Sequence, residues 1–169
     1  MARFGTTKYH SNRQEKSVAK AIGGKLTIAS GALSMKGDVR SNKYLIECKT
    51  TKESYYSLSV YTWEKIYDEA CRDGLRIPLL IVDTNNSDRI VVFRYTDFSL
   101  PMTEIDYDIS LVNEVKKSVR IGMKYLDEKD PENIGFPVIE IHMWGKRVNR
   151  ICYMRFSDFC KMVGEEVWH

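Results

Sequence analysis

Pro78-Leu79-Leu80-Ile81-Val82 is an unbroken apolar run, and it suits a strand buried on both faces. A strand of that kind needs chain packed above and below it, so the fold expected around it is a layered one. With 169 residues, 43% of them apolar and 29% charged, the chain is long enough for one domain with a full core, and disorder is not expected.

Other elements can be placed around this strand. Ser11-Asn12-Arg13-Gln14 reads as a capping box, with Ser11 as N-cap, opening a helix that ends near Gly23-Gly24. Glu15, Val18, Ala19 and Ile22 then share one helical face, which puts an acid on the buried side. A desolvated carboxylate needs a cation, and either a metal or a salt bridge satisfies that need. Lys25-Leu26-Thr27-Ile28-Ala29 reads as a short strand and Ser30-Gly31-Ala32 as a tight turn leading to Gly37-Asp38-Val39.

Tyr44 opens a further strand, running to Lys49, with Leu45, Glu47 and Lys49 on one face and Tyr44, Ile46 and Cys48 on the other. If the segment carrying Asp38 is its antiparallel partner, residues 40–43 form the turn, and Asp38 and Glu47 come within reach of a single cation. After a polar stretch to Ser57, Trp63, Ile66, Tyr67 and Ala70 mark an amphipathic helix closed by Gly74. The order up to about residue 83 is therefore α-β-β-β-α-β.

The second half holds a weak internal repeat. Ile77-Pro78-Leu79-Leu80-Ile81 followed by residues 89–98 resembles Phe136-Pro137-Val138-Ile139-Glu140 followed by residues 150–159. Each reads as a hairpin leading into a Thr/Ser-Asp helix start, although two ordinary hairpins could be alike by chance. A helix from Ser110-Leu111, with Val112, Val115, Val119, Gly122 and Leu126 as its inner stripe, is expected before the second copy. That copy has no counterpart of Asp38, Glu47 or Lys49.

Charge is unevenly spread. Residues 1–52 carry eleven Lys/Arg against three acids, a charge of +8, whereas residues 53–169 carry fifteen against twenty, a charge of −5. A basic segment of this kind suits a polyanion such as a phosphate backbone, or is simply a solvated face. The four cysteines, Cys48, Cys71, Cys152 and Cys160, lack CxxC or Cys/His spacing and fit buried free thiols in a reducing cytosol. His10, His142 and His169 have no metal-ligand spacing. No apolar run of signal-peptide or membrane-span length occurs, so a cytoplasmic protein with no membrane partner is expected.

The three acids of the basic segment are Glu15, Asp38 and Glu47, and Lys49 follows two residues after the last. Two carboxylates meeting at a strand pair suit Mg²⁺, a hard cation that takes oxygen ligands and keeps waters, with Mn²⁺ expected to substitute. Asp38 and Glu47 would hold the ion with the backbone carbonyl of Cys48, and Glu15 would bind a second ion directly or through water. Lys49 would orient or deprotonate the attacking water and stabilise the charge that builds on a phosphate. E-x-K spacing alone also arises from ordinary cross-strand charge pairs.

Together, Glu15, Ser30-Gly31-Ala32, Lys36-Gly37-Asp38-Val39 and Ile46-Glu47-Cys48-Lys49 resemble the PD-(D/E)xK nuclease superfamily, and in particular archaeal-type Holliday junction resolvases and related phage endonucleases. The resemblance covers roughly residues 12–83. It implies an α/β restriction-endonuclease-like core, αβββαβ, with a mixed central sheet flanked by helices. Residues 1–100 would form that core, and residues 101–169 a C-terminal extension of helix, β-hairpin and helix packed on it in one compact domain. The resemblance also implies the catalytic set Glu15, Asp38, Glu47 and Lys49, with Ser30 in an active-site loop. Gly37 stands where the family's proline is expected, and the extension puts junction specificity and the usual homodimer in doubt.

Arg13, Lys16, Lys36 and Lys52 are the expected DNA contacts, with Lys8 and Lys20 further candidates and Tyr9 or Tyr55 available for stacking. The function expected is a Mg²⁺-dependent endodeoxyribonuclease acting on branched or duplex DNA, at home in a phage or mobile element. A non-catalytic nucleic-acid-binding module on the same fold, and a structural protein whose charged strand is an ion-pair ladder, are the competing readings.

Overall fold

The computed structural model describes residues 7–27, 37–85, 89–98, 110–112, 118–122, 138–143 and 147–166. In chain order these contain α1 (Thr7–Ile22), β1 (Lys25–Leu26), β2 (Val39–Arg40), β3 (Tyr44–Thr50), β4 (Tyr55–Ser59), α2 (Val60–Arg72), β5 (Ile77–Asp83) and β6 (Arg89–Arg94). A single 3₁₀ turn (Tyr95–Asp97), β7 (Ser110–Val112), β8 (Ser118–Gly122), β9 (Val138–His142), β10 (Val148–Arg155) and α3 (Phe156–Glu166) follow.

Eight strands form one mixed sheet in the order β1-β2-β3-β5-β6-β10-β9-β7, and β4 pairs with β8 in a separate two-stranded ribbon. The joins β3/β5 and β7/β9 are parallel, and the other joins of the large sheet are antiparallel. The parallel β3/β5 join needs a crossover, and α2 supplies it. The protein is thus α/β, with a mixed sheet flanked by helices.

The apolar run lies in β5 at the centre of this sheet, and both its faces are covered. Leu79 and Ile81 pack with Val18 and Ala19 of α1 and with Phe156 and Phe159 of α3. Leu80 and Val82 pack with Trp63 and Ile66 of α2 and with Leu58 and Ile121 of the ribbon. All four β5 side chains are fully buried, and each such burial contributes about 1.5–3 kcal/mol.

Several expectations are met. α1 ends at Gly23, whose φ of +64° is the left-handed geometry of a helix C-terminus, and the Gly24 N–H donates to the Ala19 carbonyl at 2.8 Å, closing a Schellman-type turn. α2 buries Trp63, Ile66 and Ala70, as its spacing predicts, and Ser59 caps it by accepting from the Thr62 N–H.

Three expectations are corrected. Ser11 is not an N-cap, because α1 begins at Thr7 and Ser11 lies inside it, its hydroxyl donating to Glu15 Oε1 at 2.8 Å. The helix expected from Ser110 is instead β7 and β8. Val119 and Ile121 turn inward, while Ser118 and Arg120 are exposed, a two-residue alternation that β-branched Val and Ile favour over a helix. The stretch read as polar up to Ser57 contains β4, which pairs with β8 from Tyr55↔Gly122 to Ser59↔Ser118.

The internal repeat holds for its hairpins, β5–β6 and β9–β10, which join edge to edge through β6 and β10. The two helix starts differ. The first gives only the 3₁₀ turn, while the second opens α3. Of the expected extension, the hairpin β9–β10 and the final helix α3 are present among the described residues; β7, β9 and β10 widen the central sheet, and β8 joins the ribbon in place of the first helix.

Candidate active site

The site is built on the β2–β3 hairpin. Its turn is closed by Ser41, whose N–H donates to the Tyr44 carbonyl at 3.0 Å and whose Oγ accepts from the Tyr44 N–H at 2.9 Å. β2 and β3 pair as Val39↔Ile46 and Arg40↔Leu45, and the Asp38 N–H donates to the Ile46 carbonyl at 2.8 Å. The next step of that register sets Asp38 opposite Glu47, where directly opposed side chains share a sheet face. Tyr44, Ile46 and Cys48 enter the layer under α1 and α3, so Glu47 and Lys49 face α2.

Asp38 is held by the main chain of β3, its Oδ2 accepting from the Cys48 N–H at 2.7 Å. Backbone groups two residues apart on a strand point the same way, so the Cys48 carbonyl, like that of Ile46, faces the β2 side where Asp38 sits. Glu47 is buried, and its Oε1 accepts from Lys49 Nζ at 2.7 Å. Burial raises the Asp38 pKa to about 6; the Cys48 N–H opposes the rise, and the nearby charges of Glu47 and Glu15 add to it. For Lys49, burial acts to lower the pKa, but the hydrogen bond and charge attraction of Glu47 outweigh it and the net shift is upward. Lys49 is therefore an ammonium, not a free amine.

Gly37 stands where the resemblance expects a proline, and the backbone does not admit one. Its φ is +80°, a region closed to proline, and a β-carbon added there would lie 2.8 Å from Leu45 Cδ1.

α1 brings Glu15 to the same end of β3. Glu15 is half-buried, accepts from Ser11, and lies close enough to Asp38 to raise its pKa. Next to it, Gln14 is only 2% exposed, and its Nε2 donates to the Lys49 carbonyl at 2.9 Å and to the Ile81 carbonyl at 3.4 Å. Arg89 ties the same helix to β5, donating to Ser17 Oγ at 3.0 Å and to Asp83 at 2.6 Å.

Arg13, Lys16, Lys20 and Lys52 are exposed. Ser30 and Lys36 lie outside the described residues. Tyr55 has the Arg120 guanidinium over its ring at 4.6 Å, so one face of its proposed stacking surface is already covered. Cys48 and Cys152 are buried free thiols as expected, but Cys71 is exposed.

Three groups near the site were not picked out from sequence. Gln14 read as a capping residue, and Lys65 and Glu69 were not singled out within the helix read from Trp63, Ile66, Tyr67 and Ala70. Lys65 Nζ lies 3.9 Å from Glu47 Oε1 and 3.9 Å from Glu69 Oε1. Burial of a glutamate on the helical face that carries Ile66 and Ala70 was the one available signal.

Among the described residues, no group of three or more His, Cys, Asp or Glu side chains could hold a metal ion on its own. The donor set that remains for a hard cation is two carboxylates, Asp38 and Glu47, with the Cys48 carbonyl and water. The chemistry of that set fits Mg²⁺. No helix among the described residues is long and apolar enough to cross a membrane. Compared with protein-family models the chain matches none, and no curated protein matches it in sequence.

Proposed function

We propose that this protein is a Mg²⁺-dependent DNA endonuclease of the PD-(D/E)xK kind, on a restriction-endonuclease-like core. The observation that carries the reading is the register of β2 and β3, which opposes Asp38 to Glu47 with Lys49 on the Glu47 face. Asp38 and Glu47, with the Cys48 carbonyl, would hold the ion. Bound there, Mg²⁺ supplies Lewis acidity toward a phosphate oxygen and a water of lowered pKa.

Lys49, kept protonated by Glu47, stabilises negative charge building on the scissile phosphate rather than acting as the base. Glu15, on the α1 side, orients the attacking water or binds a second ion through water. The exposed cations Arg13, Lys16 and Lys52 would neutralise the flanking backbone. Branched DNA is the substrate favoured by the resolvase resemblance.

A binding-only module is the second reading, and the Glu47–Lys49 pair favours it, since that pair already compensates the Glu47 charge. Cleavage of end-labelled four-way junction, nicked, flapped and linear DNA with Mg²⁺, using Asp38→Ala as the blank, separates the two. Paired symmetric cuts in the junction establish a resolvase, and Asp38-dependent cuts elsewhere a nuclease of another specificity. The absence of any Asp38-dependent cut leaves the binding module.

A further inference from the structure

α2 presents a cation to the site that the strands do not supply. Lys65 Nζ stands 3.9 Å from Glu47 Oε1 and the same distance from Glu69 Oε1, four residues on along its own helix. Neither distance is a hydrogen bond, so charge alone holds the ammonium between the two carboxylates. Glu47 Oε1 already accepts from Lys49 at 2.7 Å. Two lysines thus share one carboxylate oxygen, more positive charge than that carboxylate neutralises.

Exposure separates the partners. The Lys65 side chain is 49% exposed, whereas those of Glu47 and Glu69 are 11% and 6% exposed. Glu69 is fixed in the buried face of α2 together with Trp63, Ile66 and Ala70, so it is an anchored counter-charge while the ammonium faces outward.

We propose that Lys65 is a phosphate-contact residue, tethered by Glu69 at the rim of the Asp38–Glu47 site, where it takes a backbone phosphate of the nucleic acid. The inference rests on the nucleic-acid reading above. A divalent cation at Glu47 repels Lys65 from that carboxylate, and Glu69, at i+4, retains it on the helix. A lysine so placed binds phosphate as a point charge.

The test is DNA binding by the full-length chain as a function of KCl, using a labelled four-way junction and a duplex of the same sequence, with Ca²⁺ in place of Mg²⁺. Lys65→Ala is expected to lower the slope of log Kobs against log[KCl] by about one and to weaken binding at every salt concentration below the standard state. Lys65→Arg keeps the wild-type slope. Lys161→Ala, on α3 across the sheet and 77% exposed, removes the same charge without changing the slope. An unchanged slope in Lys65→Ala overturns the proposal, as does an equal loss in Lys161→Ala or a lowered slope in Lys65→Arg. A wild-type protein that binds neither DNA overturns the nucleic-acid reading itself.

Discussion

Gln14 on α1 donates through Nε2 to the main-chain carbonyl of Lys49, 2.9 Å away on β3. That bond crosses 35 residues of sequence and fixes the helix carrying Glu15 against the strand carrying Glu47 and Lys49. The amide is buried to 2% exposure, and the donations of its Nε2 make it a spacer between two parts of the site.

Gln14→Leu keeps the volume and removes both donations. It is expected to lower unfolding stability by about 0.5–1.5 kcal/mol, since the helix loses its two donations to the strands while the carbonyls keep their β3/β5 ladder partners. Urea unfolding of the two proteins side by side measures it, and a midpoint unchanged from wild type would show that the Lys49 and Ile81 carbonyls do not depend on Gln14.

Asp38 makes stability depend on pH. Burial pushes its carboxyl from the ordinary 3.8 up to about 6 in the folded protein, so the folded state holds the proton more tightly. Stability is then highest while Asp38 is protonated and falls as pH rises from about 3.8 to about 6. Asp38→Asn should remove that fall and be more stable than wild type at pH 7. Denaturation at pH 4 and pH 7 checks it, and a wild-type protein that loses nothing relative to Asp38→Asn between those values counts against a raised Asp38 pKa.

The same titration governs ion binding under the nuclease reading. A metal must displace the Asp38 proton, so Mn²⁺ affinity should weaken by up to about tenfold per unit as pH drops below about 6 and level off above it. Calorimetric titration across pH 5–8 shows the bend. A flat profile would remove Asp38 from the ligand set.

Under the nuclease reading, Lys49→Ala should lower the cleavage rate far more than the affinity for DNA. Because the Lys49 pKa is raised, the wild-type rate should show no increase through pH 8–10 attributable to deprotonating it. Single-turnover rates over that range decide between the ammonium and a general base. A mainly affinity-based loss would make Lys49 a phosphate anchor.

Gly37→Pro, which introduces the proline that the nuclease resemblance would expect, should be harmful. Its φ of +80° is closed to proline, and the Leu45 side chain occupies the space beside it. Destabilisation of about 1–3 kcal/mol is expected, and Gly37→Ala should show a smaller part of it. Thermal unfolding of both variants measures this, and a Gly37→Pro protein as stable as wild type would mean that the turn can adopt another backbone path.

The parts of the fold that were legible in the sequence are those with a short-range signature. Alternation placed Glu47 and Lys49 on one face of β3, and the uninterrupted run placed β5 in the interior. β4 and β8 were not legible, because they are a two-stranded ribbon of five residues each, and the Val112, Val115, Val119 spacing fits a helical stripe as readily as two strands. Lys65 and Glu69 were missed for a different reason. Their approach to Glu47 depends on how α2 lies across β3 and β5, and nothing within either segment encodes that crossing.

The continuity of the sheet through β6 and β10 has a consequence for cutting the protein. Five residue pairs, from Ile151↔Arg94 to Arg155↔Ile90, join the two halves of the chain, and the Phe159 ring lies 6.2 Å from that of Tyr44 at the start of β3. A fragment ending near residue 100 would present Ile90, Val91, Val92 and Phe93 on an open apolar edge and strip the aromatic cover from the strand that carries the acids. Such a fragment would be a template for self-association rather than a minimal enzyme.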